Sequence, residues 1–321
     1  MGDAVRVGII GCGGFARGMH IPNMLANPKY RIVATCDLDE ATAEGARELA
    51  GASYATTDVD HVLGDPQVDA IVITTRHDSH ASLSVRAAEA GKHVLCEKPM
   101  GLNEDECRRV ATAIRRAAYA NTMGTNRGMA PLVLEAEGLL AAHPGRKVVY
   151  HRIQAPFSAD HWIHRAAIGG GRFVGEGCHI FDLLCQLVGV PPLSVYASGG
   201  IFLDPARVDS PDSGIVVLTF QDGSVGTTLV ASDGCAAFPK ESTEIYWAGR
   251  AIEIRNYQEL HAYGPPGEPP HHLRLGSVDK GHRREIDLFA DAVLRGTPPP
   301  NGVKNAFRAA LISFLAYQSI A

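Results

Sequence analysis

The sequence predicts an α/β protein with an N-terminal doubly wound parallel sheet, followed by a C-terminal α+β domain with an open, mostly antiparallel sheet. Three observations carry this expectation. Short apolar runs alternate with helical segments over the first third of the chain, as a parallel sheet with helical crossovers requires. The first run, Val5 to Ile10, feeds directly into the glycine turn Gly11-Cys12-Gly13-Gly14. After about Asn121 and one further helix, the pattern changes to β-rich segments divided by turn residues such as Asp222-Gly223. The domains are expected at residues 1–122 and 123–321.

The elements follow in order. A second apolar strand ends at Asp37, and an Ala/Glu-rich helix runs from Glu40 to Leu49. A short segment around Val62 precedes the strand Ala70 to Thr74. A helix carrying Leu83, Val85, Ala87 and Ala88 stops at Gly91, where glycine suits a helix end, and leads into the strand His93 to Cys96. Asn103 is placed to cap the next helix, with Cys107, Val110, Ala111 and Ile114 on its apolar face. In the second domain, strands are expected at 147–153, 193–198, 214–220, 225–230, 244–247 and 251–254, then an exposed Gly264–Pro270 loop and two closing helices at about 281–295 and 303–320.

The glycine turn has a chemical reading. Gly11 permits the tight turn, Gly13 lets backbone N–H groups approach a pyrophosphate, and small Ala16 lets the new helix pack on the sheet. The helix N-terminus then faces the anion, with Gly14 and Phe15 at its start. Asp37 lies about twenty residues further on, where a carboxylate binds the ribose 2′-hydroxyl of NAD and repels the 2′-phosphate of NADP. No Arg or Lys follows Asp37 until Arg47, so the spacing predicts NAD as the cofactor. This is a dinucleotide-binding, or Rossmann, unit. Ligands in such sheets lie beyond the strand carboxyl ends, which places Thr74, Thr75, Glu97 and Lys98 beside the cofactor.

Composition narrows the function further. The chain has 321 residues, enough for two cores, and a net charge of −5 without any Lys/Arg run, which argues against nucleic-acid binding. No apolar stretch reaches membrane-spanning length and the first strand begins almost at Met1, so a cytoplasmic location is expected. The seven cysteines show no metal-type spacing and read as reduced thiols, and no metal site is expected at His161 and His164.

Two residues stand out for chemistry. Lys98 ends the strand His93 to Cys96 within Glu97-Lys98-Pro99, and His179 opens a helix after the segment Gly169 to Gly177. Helical spacing gives Phe181, Leu184, Cys185 and Val188 to the core, leaving His179, Asp182 and Gln186 on another face. At a helix N-terminus the dipole favours neutral imidazole, so His179 can take the proton a carbinol loses as its hydride departs. Lys98 can orient or stabilise the developing alkoxide. Arg127, His161, Trp162, Glu176, Asp182 and Lys240 supply the polar groups and aromatic face that a sugar pocket needs.

Taken together, Gly11-Cys12-Gly13-Gly14, Thr74-Thr75 with His80, Gly91 to Pro99, Asn126-Arg127 and Gly169 to Asp182 resemble the Gfo/Idh/MocA oxidoreductases over essentially the whole chain. The resemblance implies that Lys98 and His179 are the catalytic pair, that His80 and Asn126 join the cofactor set, and that the substrate is a sugar, nucleotide sugar or cyclitol. It implies a cis Lys98–Pro99 bond and homodimers or homotetramers built on the C-terminal sheet. Asp160-His161-Trp162-Ile163-His164 and Gly175-Glu176-Gly177-Cys178-His179 resemble a subgroup of carbohydrate-pathway enzymes. Many members carry Asp four residues before the catalytic histidine; here Gly175 stands there, leaving Glu176 or Asp182 to contact a substrate hydroxyl. Two other functions compete with a dehydrogenase: a redox-neutral epimerase or glycosidase that recycles its NAD, and a non-catalytic NAD or sugar sensor. Retention of both Lys98 and His179 favours an enzyme.

Overall fold

The computed structural model describes residues 3–117 and 119–320. Its contacts divide the chain into two compact units, Met1–Thr125 with Arg283–Ala310, and Asn126–His282 with Leu311–Ala321.

The first unit is a six-stranded parallel sheet of β1 (Val5–Ile10), β2 (Tyr30–Cys36), β3 (Tyr54–Thr56), β4 (Ala70–Ile73), β5 (His93–Cys96) and β6 (Asn121–Met123). The order is β3-β2-β1-β4-β5-β6. It reverses direction between β1 and β4, the position where such sheets open a ligand crevice at their carboxyl ends. The central strands are apolar runs because both faces are covered: every residue of β4 and β5 is buried. The segment around Val62 is the short helix Val59–Gly64. Asn103 Oδ1 accepts from Glu106 N at 2.9 Å, the cap expected at that helix, and the Glu106 carboxylate accepts from Leu102 N at 2.8 Å.

Two features of this unit differ from the sequence expectation. Asn121–Met123 is a sixth strand of the first sheet, where no strand was expected; its polar residues gave no apolar signal. It is held by Asn301, whose Nδ2 donates to Met123 O at 2.7 Å and whose carbonyl accepts from Met123 N at 3.2 Å. The helix His282–Arg295 also belongs here, because Ile286, Phe289, Ala290 and Val293 share one core with Val5, Val7, Ile9 and Leu95. Tyr30 Oη donates to Ile286 O at 2.6 Å and Lys29 pairs with Asp287 at 2.8 Å. The first unit is thus built from two stretches of chain, Met1–Thr125 and Arg283–Ala310.

The second unit is an eight-stranded sheet of β7 (Val148–Gln154), β8 (Pro192–Gly200), β9 (Ser213–Phe220), β10 (Val225–Ala231), β11 (Glu241–Trp247), β12 (Arg250–Arg255), β13 (Glu259–Tyr263) and β14 (His271–Arg274). The order is β14-β13-β12-β11-β7-β10-β9-β8, antiparallel except for β7 with β10. Strand residues alternate between buried and half-buried or exposed, as a sheet covered on one face must. Val149, Ile153, Val216, Leu218 and Ile245 pack with Leu132, Val133 and Ala136 of helix Pro131–Ala142 and with Ile180, Phe181 and Leu184 of helix Cys178–Val188. On the opposite face, cross-strand pairing aligns Val148 with Tyr246, Tyr246 with Ala251 and Ala251 with Tyr263, and Val148, Tyr246 and Tyr263 stand exposed. No helix is long and apolar enough to cross a membrane among the described residues.

Candidate active site

In the first unit the glycine turn is dictated by packing. Gly11 has φ of +89°, and a Cβ there would meet Thr75 N at 2.7 Å and Thr74 C at 2.8 Å, so glycine alone fits between β1 and the end of β4. Thr74 Oγ1 donates to Gly11 O and closes the two strand ends together. Gly13 and Gly14 are exposed with open space where a side chain would stand, as the approach of a pyrophosphate requires. Exposed Phe15 precedes buried Ala16, which opens the π-type turn Ala16–His20 leading into helix Ile21–Leu25. The Asp37 carboxylate accepts from Cys12 N at 2.7 Å and Asp39 N at 3.2 Å, which fixes it against the turn. These features fit an NAD adenosine and pyrophosphate. Burial, with Asp37, pushes the Cys12 thiol up to about 12, leaving it inert.

At the end of β5, Glu97 is buried and Lys98 half-buried, and the Lys98–Pro99 bond is cis, in accord with the resemblance. Glu97 lies 2.7 Å from Nε2 of fully buried His20, and a Cβ on Gly124 would stand 2.8 Å from the Glu97 carboxylate. The π-type turn thereby ties the glycine-turn helix to the strand end. His20 was not singled out from the sequence. His80 sits wholly inside the unit, with Nδ1 2.9 Å from Pro99 O and Nε2 3.1 Å from Thr75 O. Burial lowers its pKa, and the neutral ring braces the loops after β4 and β5 by donating to one of these carbonyls.

The second unit gathers a buried polar cluster. His179 does not open its helix: the π-type turn Phe173–Gly177 runs straight into Cys178–Val188, with Arg172 and Gly177 already helical. The dipole acts within the first turn, so it is not what governs His179. Instead Arg127 Nη1 lies 3.1 Å from His179 Nε2. Arginine has no acceptor, so this ring nitrogen carries no proton. Arg127 also grips Glu241 with both arms, Nε to Oε2 at 3.3 Å and Nη2 to Oε1 at 3.1 Å, and donates to Asn126 Oδ1 at 3.0 Å. Asn126 Nδ2 donates to Lys280 O at 2.6 Å, and Lys280 Nζ donates to Glu241.

Electrostatics follow from this crowding. Burial alone would raise the Glu241 carboxyl, but Arg127, Lys280 and His151 outweigh it and hold the group well below the usual carboxylate range. Burial pushes His151, 3.8 Å from Glu241, down to about 4. Burial and then Glu241 drive the Tyr257 hydroxyl far up. Burial also lowers Lys280 against the pull of Glu241.

Of the substrate-side candidates, Glu176 and Lys240 meet at 3.4 Å, with the buried Arg172 guanidinium 3.8 Å from the same carboxylate and over the Phe157 ring. His161 and Trp162 stack on each other, half-buried, with centroids 5.4 Å apart. Asp182 is buried on the His179 helix. Glu241, Lys280, His151 and Tyr257 were missed. Glu241 opens β11 three residues before the strand expected at 244–247, and nothing nearby in sequence marks its cationic partners. Among the described residues, no three His, Cys, Asp or Glu side chains converge as a metal site.

A parallel sheet of this strand order with the Gly11 turn and Asp37 just after β2 defines a dinucleotide-binding protein. Residues 5–124 match the family model described as "Oxidoreductase family, NAD-binding Rossmann fold", and residues 147–250 match the "GFO/IDH/MocA C-terminal domain". The chain belongs to the Gfo/Idh/MocA family and is an NAD-binding oxidoreductase. It is 24% identical to the myo-inositol 2-dehydrogenase of Thermotoga maritima over 98% of this chain and 96% of that protein. It is also 24% identical to the inositol 2-dehydrogenase of Rhizobium meliloti, over 99% and 97% of the two chains. The fold matches that of levoglucosan dehydrogenase solved with NADH and levoglucosan, with a TM-score of 0.89, 20% identity and coverage of 98% and 97%.

Proposed function

We infer that this chain moves a hydride between NAD and a secondary hydroxyl or ketone of a sugar, nucleotide sugar or cyclitol, with Lys98 and His179 as its catalytic residues. The observation that carries the reading is Lys98 itself, half-buried beyond the carboxyl end of β5 in the NAD-binding unit. NAD, when bound, accepts or returns the hydride. Gly11, Gly13, Gly14, Phe15, Ala16, Asp37, Thr74, Thr75, Glu97 and Lys98 would hold it, with His80 bracing the loops after β4 and β5, and Asn126 is proposed as a further cofactor contact.

During oxidation His179 takes the carbinol proton on Nε2, which is the ring nitrogen free of a proton, the imidazole turning off the fixed Arg127 guanidinium onto the substrate hydroxyl. Lys98 donates to the substrate oxygen and stabilises the negative charge that develops there. Arg127, His161, Trp162, Glu176, Asp182 and Lys240 supply the polar and aromatic groups for a polyol. The names of the inositol dehydrogenases and of levoglucosan dehydrogenase support this substrate class. The exposed apolar row on β7, β11 and β13 supports assembly into a homodimer or homotetramer.

The test is a panel of cyclitols, anhydrosugars and nucleotide sugars with NAD, followed by NADH absorbance. On the best substrate, Lys98→Ala and His179→Ala lose about 10²- to 10⁴-fold in kcat while NADH still binds. Full turnover by either variant overturns its assigned role.

A further inference from the structure

We propose that Glu241 and Arg127 form a positioning relay that fixes the tautomer of His179 and the orientation in which its ring waits for substrate. The inference rests on the reading of His179 as the proton acceptor and adds how the chain prepares it. A base that works through Nε2 needs that nitrogen unprotonated and needs its ring held by a third group. The usual device is a carboxylate, and here the group against the ring is a guanidinium.

The relay supplies the same control from the opposite side. Nη1 of Arg127 is 3.1 Å from His179 Nε2, and a guanidinium can only donate, so the ring proton is confined to Nδ1. Arg127 cannot swing, because its Nε and Nη2 are both engaged by Glu241 in a planar two-point pair and its Nη1 also reaches Asn126. Glu241 is fully buried and Arg127 nearly so, so neither has a solvent-facing alternative. Glu241 is fixed in turn by Lys280. The chain of command runs Lys280 to Glu241 to Arg127 to His179, across four separate segments of the second unit. Arg127 and Glu241 are positioning residues here, acting through His179.

The experiment uses the full-length protein with selectively labelled histidine. Nitrogen–carbon correlation spectra of the side chain report the tautomer directly at neutral pH, without substrate. The wild type is expected to show His179 protonated on Nδ1, and Arg127→Met to show the Nε2-protonated form gaining population. In turnover, Arg127→Met is expected to lose at least about 10-fold in kcat with the KM for NAD within about twofold, and Arg127→Lys to recover part of the loss. An Nε2-protonated ring in the wild type overturns the relay, and that measurement stands even where Arg127→Met fails to fold. Unchanged kcat in a folded Arg127→Met, alongside a His179→Ala that has lost activity, overturns it as well. A fully active His179→Ala instead removes the functional reading beneath it, and the relay falls with that reading.

Discussion

Asp37 is the residue through which cofactor choice can be tested most sharply. Its carboxylate is bonded to Cys12 N at 2.7 Å and to Asp39 N at 3.2 Å, so it cannot turn away from a phosphate added to the ribose. Two unit charges about 4 Å apart repel by about 1 kcal/mol in bulk water and about 4 kcal/mol near a protein surface. Asp37 is half-buried, which puts the penalty for NADP at about 2 kcal/mol, or roughly 30-fold in affinity. Arg47 does not offset it, because its guanidinium is paired with Glu44 at 2.6 Å. Asp37→Asn removes the charge while keeping an acceptor for Cys12 N. Calorimetric titration with NADH and NADPH needs no substrate, and the wild type should favour NADH by that margin while Asp37→Asn closes most of the gap. A wild type that prefers NADPH, or a ratio unmoved by Asp37→Asn, refutes the electrostatic argument.

Three further predictions concern the second unit. Glu241→Ala strands Arg127 and Lys280 without their counter-ion and should destabilise the protein by about 3–5 kcal/mol in urea unfolding, whereas a loss under about 1 kcal/mol would contradict the cluster's role. His151, whose folded pKa is about 4 against an ordinary 6.5, binds its proton more readily in the unfolded chain, so its contribution is complete above 6.5 and is withdrawn as pH falls towards 4, while Glu241 extends the loss to lower pH. A His151→Asn variant should flatten the upper part of that decline. On the exposed sheet face, Val148→Lys should lower the sedimenting mass; a wild type that sediments as a monomer removes the proposed interface.

The parts of the fold that could be read in the sequence are those whose signal is local. Apolar runs at β1, β4 and β5 are buried on both faces, and Gly11 is required by a turn made of adjacent residues, so both are written in consecutive letters. Asn121–Met123 and the strands Glu259–Tyr263 and His271–Arg274 escaped because they are short and rich in Asn, Thr, His and Glu, too few apolar residues to make a run. The helix at 173–188 was read as beginning too late because Gly175 and Gly177 look like loop residues, whereas a π-type turn accommodates them. On the candidate site, residues beside a recognisable string such as Glu97-Lys98-Pro99 were visible. Glu241 and Lys280 were not, since what marks them is burial beside a cation or an anion from another segment.

The interrupted first unit bears on how this chain is made. Its sheet lacks the apolar cover of Ile286, Phe289 and Val293 until residues as far as 295 have been synthesised. On the ribosome the nascent N-terminal strands must wait, greasy face uncovered, through translation of nearly the entire second unit. Fragments ending near residue 125 are accordingly expected to need chaperone capture, and the late helix acts as the closing piece of the half that was begun first.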